Sequence, residues 1–367
     1  MINKFSSLLC GVLLISSFGC SSDDNNEPSG PIDVIIEGAQ VFPQVGGPNQ
    51  QNQVYIDLST NTSTAVRRDA WDLGFYSGSE FRVAINGSMA MAAAELSTTD
   101  IDAINASTQE VLDLQPLVQT NTYSATSMPY VDNPDGNINH TVIKEISGTD
   151  SNNKVYLLNL GYEVGTETPA VGSIAVKGDA KAWMKIRILK EGNDYIMQYA
   201  DLDASTHKEV RISKNSNYHF SFFSFTTETE VTVEPLKSEW DLNFTVFTGE
   251  VFMGPTSAGP YIFSDYVANN NKAQVGAYTI NTEETSYTYE NFKLTDVDNS
   301  NFIFNDQRTI GDTWRNSGGP SSLPSLKTNV FYVVQDTDGN LYKLQFLALT
   351  NAEGVRGYPE FVYSLLQ

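Results

Sequence analysis

Few residues in this chain could do chemistry: two cysteines, three histidines and seven methionines among 367 residues. Cys20 ends the segment Ser17-Phe18-Gly19-Cys20, where a small residue precedes a thiol just after an uncharged apolar run, Leu8 to Ile15. With Lys4 ahead of the run, this is the pattern of a lipoprotein signal whose cysteine is acylated as the signal is removed. The run is too short to span a bilayer, so a removed signal is expected rather than a membrane helix. Cys10 leaves with the signal, and an acylated Cys20 allows neither a disulfide nor a cysteine-built metal site. His140, His207 and His219 have no shared serine and carboxylate partners. There is no Gly-x-Ser-x-Gly, His-Glu-x-x-His or Walker loop, and no local motif nominates a glycosidase pair. Asp336-Thr-Asp338-Gly-Asn and Asp296-Val-Asp298-Asn-Ser-Asn301 begin like calcium loops without continuing as one, so turns are expected there. The chain reads as non-enzymatic.

The remaining donors are ambiguous by type. His140, in Asn137-Ile-Asn-His140-Thr, is either a solvated loop histidine or a ligand. Met128, before Pro129-Tyr130, reads as exposed, as a soft ligand or a contact surface. Met89 and Met91, in Ser88-Met-Ala-Met-Ala-Ala, hold alternate positions that could equally pack a β face.

The elements that must position these residues are mainly strands. Val54-Tyr-Ile-Asp-Leu58, Val155-Tyr-Leu-Leu-Asn159, Met184-Lys-Ile-Arg-Ile188 and Val330-Phe-Tyr-Val-Val334 are β-branched and aromatic runs. Gly192-Asn193 and Asp338-Gly339-Asn340 punctuate such runs as hairpin turns. Thr98 to Leu114, with Ile101, Ile104, Val111 and Leu112, predicts a short helix. The expected fold class is all-β and antiparallel, with little helix.

Formal charge is −22, becoming −23 once Lys4 leaves with the signal. Such a surface repels nucleic acid and anionic lipid, so neither is an expected partner and the lipid is the only expected membrane contact. Ser22 to Gly30 has nothing to bury and reads as a tether.

Two copies of one pattern organise the rest. Leu58 to Val66 leads after four residues to Trp71-Asp72-Leu73-Gly74-Phe75; Phe225 to Val233 leads after six to Trp240-Asp241-Leu242-Asn243-Phe244. Downstream, Trp183-Met-Lys-Ile-Arg-Ile188 answers Leu341-Tyr-Lys-Leu-Gln-Phe346, and Met197-Gln-Tyr199 answers Phe361-Val-Tyr363. The expected organisation is a signal over 1–19, a lipidated tether over 20–48, and two related β domains over 49–207 and 208–367. Within each motif Trp, Leu and Phe are expected on one face as a core wall. Asp72 and Asp241 would face away, toward backbone or a base such as Arg67, Arg68 or Lys237.

On these residues the chain resembles the HmuY family of Bacteroidetes surface lipoproteins that bind haem. The resemblance rests on the Trp-Asp-Leu-x-Phe strand, the Asp-Gly-Asn hairpin and Tyr-Lys-Leu-Gln-Phe before a final Tyr; Ser21-Ser22-Asp23-Asp24 resembles the acidic tether of such surface lipoproteins. It implies an all-β fold holding haem between loops at one edge of the sheets, for iron acquisition through an outer-membrane TonB-dependent transporter. It also implies a lipid-anchored protein at the outer membrane, exposed on the cell surface. Paired histidines are the family's iron ligands, with methionines in some relatives. Ser317 stands where the family's second unit would carry a histidine; the resemblance implies, as candidate iron ligands in the first unit, His140 with Met128, Met89 or Met91, or a pair of these methionines. Met253, with Tyr287 and Tyr289, is the corresponding proposal for the second unit. The alternative is a surface module for glycan or protein that has lost haem ligation, for which Trp183, Tyr261, Tyr266 and Trp314 would form an exposed aromatic row.

Overall fold

A computed structural model describes residues 37–318 and 322–367. The expected signal, Cys20 and the first part of the tether lie outside the described residues. Strands form where apolar and polar residues alternate. In Leu341–Thr350, Tyr342, Leu344 and Phe346 are buried, whereas Leu341, Lys343 and Gln345 between them are half-buried. Gly192 and Gly339 take the positive φ of 62° and 88° that their hairpin turns require.

The strands make two equivalent pairs of antiparallel sheets. One five-stranded sheet runs Lys208–Ser213, Asp194–Asp201, Trp183–Glu191, Val155–Asn159, Ala92–Glu95. The other runs Gly38–Val41, Arg356–Leu365, Leu341–Thr350, Val330–Gln335, Gly276–Asn281. Each packs on a four-stranded sheet. Leu73, Phe75 and Val83 join Leu158, Ile186 and Tyr195 in one core; Val54, Leu242 and Phe244 join Tyr332, Tyr342 and Phe361 in the other. The all-β class stands. Its one α-helix among the described residues, Gln109–Leu114, is shorter than the segment Thr98 to Leu114 in which it was expected. Ile101, Ile104 and Val111 are buried there, and Leu112 is exposed.

The four-stranded sheets do not respect the boundary at 207/208. The hairpin Asn52–Asp57/Thr62–Arg67 pairs with Leu242–Met253, and the hairpin Phe220–Ser224/Thr229–Val231 pairs with Leu73–Tyr76. Each repeat therefore lends its first hairpin to the other repeat's Trp-Asp-Leu-x-Phe strand. Lys208–Ser213 completes the sheet of the first repeat, and Gly38–Val41, within the expected tether, is the edge strand of the second. All the described residues fall in one compact unit. The sheet topology repeats, strand pairing crosses 207/208, and the described fold includes Gly38–Val41, ahead of residue 49.

The motif aspartates hold this exchange together. Asp72 donates its N–H to Phe223 O at 2.9 Å and accepts the Phe225 N–H at 2.7 Å. Asp241 does the same with Ile56 O at 2.7 Å and the Leu58 N–H at 2.8 Å. The base beside Asp72 is Lys181, at 3.2 Å, rather than Arg67, Arg68 or Lys237.

Candidate functional site

The strand registers bring the two motifs to a shared cavity of about 210 Å³. Leu73, Phe75, Leu242 and Phe244 make the core walls expected of them, but the tryptophans do not join that wall. Trp71 and Trp240 precede the first paired residues, Leu73 and Leu242, and turn to the opposite face, where both line the cavity. Each meets an aromatic ring of the borrowed hairpin edge-on. Trp240 lies 5.0 Å from Tyr55 at 74°, and Trp71 lies 4.8 Å from Phe222 at 71°.

Two short turns close the sides. Asn86 and Asn270 are the N-caps of the 3-10 turns Gly87–Met89 and Asn271–Ala273. Asn86 Nδ2 donates to Arg68 O and Trp71 O at 2.8 and 2.7 Å; Asn270 Nδ2 donates to Lys237 O and Trp240 O at 3.0 and 2.9 Å. Loop residues 131–134 and 136–138, with Thr141, supply a further wall. This loop is tied to the second repeat: Asn271 Nδ2 donates to Asp135 O at 3.1 Å, Gln307 Nε2 to Pro134 O at 3.0 Å, and Lys272 Nζ to Gly136 O at 2.9 Å.

Two carboxyls, a histidine and a lysine lie around the cavity. Glu234 Oε1 accepts the N–H groups of His219 and Phe220 at 2.7 and 2.9 Å, and burial pushes its carboxyl up to about 7 against their pull. Asp132 accepts from Ile85 N and Val142 N at 2.9 and 2.7 Å, and burial likewise raises it to about 7. Burial, and then the charge of Lys272, push His219 down to about 4, so its imidazole is neutral near pH 7. Burial lowers Lys272 as well, opposed by Glu234, Asp132 and Asp135. Sequence reasoning missed this cluster because its members lie far apart in the chain and no local motif marks any of them.

The residues singled out from sequence scatter. Met89 and Met91 are core side chains, 1% and 0% exposed; Met89 Sδ meets Arg68 Nη1 at 3.2 Å, and Met91 also borders the cavity. Their alternate spacing thus reports packing. Met128 is half-buried against Ala92, Ala94, Val118 and Val131. His140 is exposed, with Nδ1 2.8 Å from Asp135 Oδ2, at the end of the loop whose preceding residues border the cavity. His207 is similarly held by Asp102 at 2.9 Å. Met253 is exposed at the end of its strand, while Tyr287 and Tyr289 pack against Phe292 and Phe331. Ser317 accepts from Arg315 Nη1 at 3.0 Å. Of the aromatic row, Trp314 and Tyr266 are buried at 0% and 6%, so those four residues do not form an exposed platform. No group of three or more His, Cys, Asp and Glu side chains placed to hold a metal ion occurs among the described residues.

The family model described as HmuY protein matches residues 49–363. No curated protein matches the chain. A solved structure titled as a putative HmuY-like heme binding protein from Bacteroides vulgatus ATCC 8482 is 11% identical, over 89% of this chain and 91% of that one, with a TM-score of 0.21.

Proposed function

We propose, on the premise that this chain belongs to the HmuY family, that it is a haem-binding protein with His140 as an iron ligand. The observation that carries the reading is the Asp135–His140 pair. The carboxylate on Nδ1 fixes the ring's orientation and leaves Nε2 as the donor. His140 would hold the haem through this nitrogen, and the haem would supply an iron that takes nitrogen or thioether donors. Met128 is the proposed second donor, through release of its half-buried thioether from the packing around Val118. Met89 and Met91 would have to leave the core, and are set aside. In the same proposal Cys20 is the lipidated residue of a surface-anchored protein that passes haem to an outer-membrane transporter for iron acquisition, without catalysis.

Haemin titration of the soluble chain beginning after Cys20 tests this. A saturating, shifted Soret band that weakens in His140→Ala and changes form in Met128→Ala supports it. A spectrum that stays that of free haemin overturns it.

A further inference from the structure

Several polar atoms of residues that line the cavity lack a partner and are themselves sealed from solvent. Trp71 Nε1, Trp240 Nε1, Asn243 Oδ1 and both amide atoms of Asn269 are buried without a hydrogen-bond partner in the protein, while the Asn270 amide lies beside the His219 imidazole. All six residues line this one cavity. Asn269 is 1% exposed, and a buried polar group left without a partner is costly. The set contains N–H donors and carbonyl acceptors in comparable number. An apolar occupant would leave them all unpaired, and a simple anion or cation would answer only one kind.

Three further observations narrow the occupant. Neutral His219, and Lys272 set against Asp132 and Glu234, leave no single sign of charge in command of the walls. Rings between wall residues meet at 50–86°, so these pairs form no parallel-sided slot for a flat heterocycle. The volume, about 210 Å³, is more than ten times the ~10–15 Å³ one water needs. A ring bearing several hydroxyls, each both donor and acceptor, with C–H faces to lie on tryptophan, meets all three conditions. We propose that this cavity binds one neutral hexopyranose-sized sugar, gripped by Asn243 and Asn269 and stacked on Trp71 or Trp240.

The test titrates the soluble protein with glucose, galactose, mannose and N-acetylglucosamine in turn, followed by saturation-transfer NMR and tryptophan fluorescence. We expect saturable binding of at least one sugar, weakened about tenfold or more by Asn269→Leu and by Asn243→Leu. Trp71→Phe removes only an indole and its N–H, and should also weaken binding if the leucine variants fail to fold. Binding should be unchanged in His207→Ala, which breaks a histidine–aspartate pair outside the cavity. No saturable response to any of the four sugars overturns it, and so does undiminished binding in the folded cavity variants. A high-resolution crystal soaked in the four sugars that shows only waters on these atoms would also overturn it.

Discussion

Asp72 accepts the backbone N–H of Phe225 at 2.7 Å, across 153 residues of chain. Its other oxygen faces Lys181 at 3.2 Å, and the pair is buried, with side chains 1% and 12% exposed. Removing the carboxylate leaves an amide and an ammonium without a partner at the seam where the hairpins are exchanged. We expect Asp72→Ala to cost about 3–5 kcal/mol in urea unfolding. Arg67→Ala, which breaks a largely exposed pair with Asp69, should shift the midpoint by under about 1 kcal/mol.

The exchange itself predicts how the chain can be cut. Residues 37–207 alone would leave Leu73–Tyr76 without its neighbour Phe220–Ser224; residues 208–367 alone would leave Leu242–Met253 without Asn52–Asp57. Neither fragment should show a cooperative thermal transition, and mixing the two should restore one. A cooperative transition in either half alone would mean that the borrowed hairpin is dispensable.

Stability should also respond to pH through the cavity acids. Glu234 holds its proton more tightly in the folded chain, at about 7, than a free glutamate would, so folding takes up protons between those two values. Its stabilising contribution is complete below the unfolded value and is lost as pH rises through 7. His219, pushed down to about 4, acts oppositely, and its contribution is lost as pH falls through 4. Glu234→Gln keeps an oxygen for the two amides and removes the titration. We expect the melting temperature of the variant, relative to the parent, to rise between pH 5 and pH 8.

A lysine at the same repeat position pins a long loop in each half. Lys343 Nζ donates to Tyr289 O and Phe292 O at 2.6 and 3.0 Å, and Lys185 Nζ donates to Ile104 O and Ala204 O. Lys343→Met should speed amide exchange around Tyr289–Phe292 and cost about 1–3 kcal/mol. Exchange in the Lys185-pinned segment should be unchanged.

Much of the fold was legible because it is written in local alternation. Val155–Asn159 is a strand over the residues its composition marks, and the two Trp-Asp-Leu-x-Phe copies do occupy equivalent strands. Which hairpin pairs with which motif was not legible. Residues 52–67 fit either copy's strand by pattern alone, and the choice is made by packing such as Trp240 on Tyr55. The site was less legible still. Met89 and Met91 carry the same alternation whether they ligate or pack, and only burial tells them apart. His219, Glu234 and Asp132 converge from separate segments, and their altered acidity comes from desolvation, which composition does not record.

Gly38 of the first described strand pairs with Ser364 of the last. Synthesis at about 5–20 residues per second would leave that early strand waiting roughly 15–60 s for its neighbour. The hairpin Asn52–Asp57/Thr62–Arg67 and the strand Leu73–Tyr76 wait as well, though for less time. The molecule therefore cannot fold progressively as it emerges. Closure is deferred to the end of the chain, and a copy lacking only its final ten residues would keep nearly all of its sequence yet leave an open sheet edge of the kind that recruits other chains.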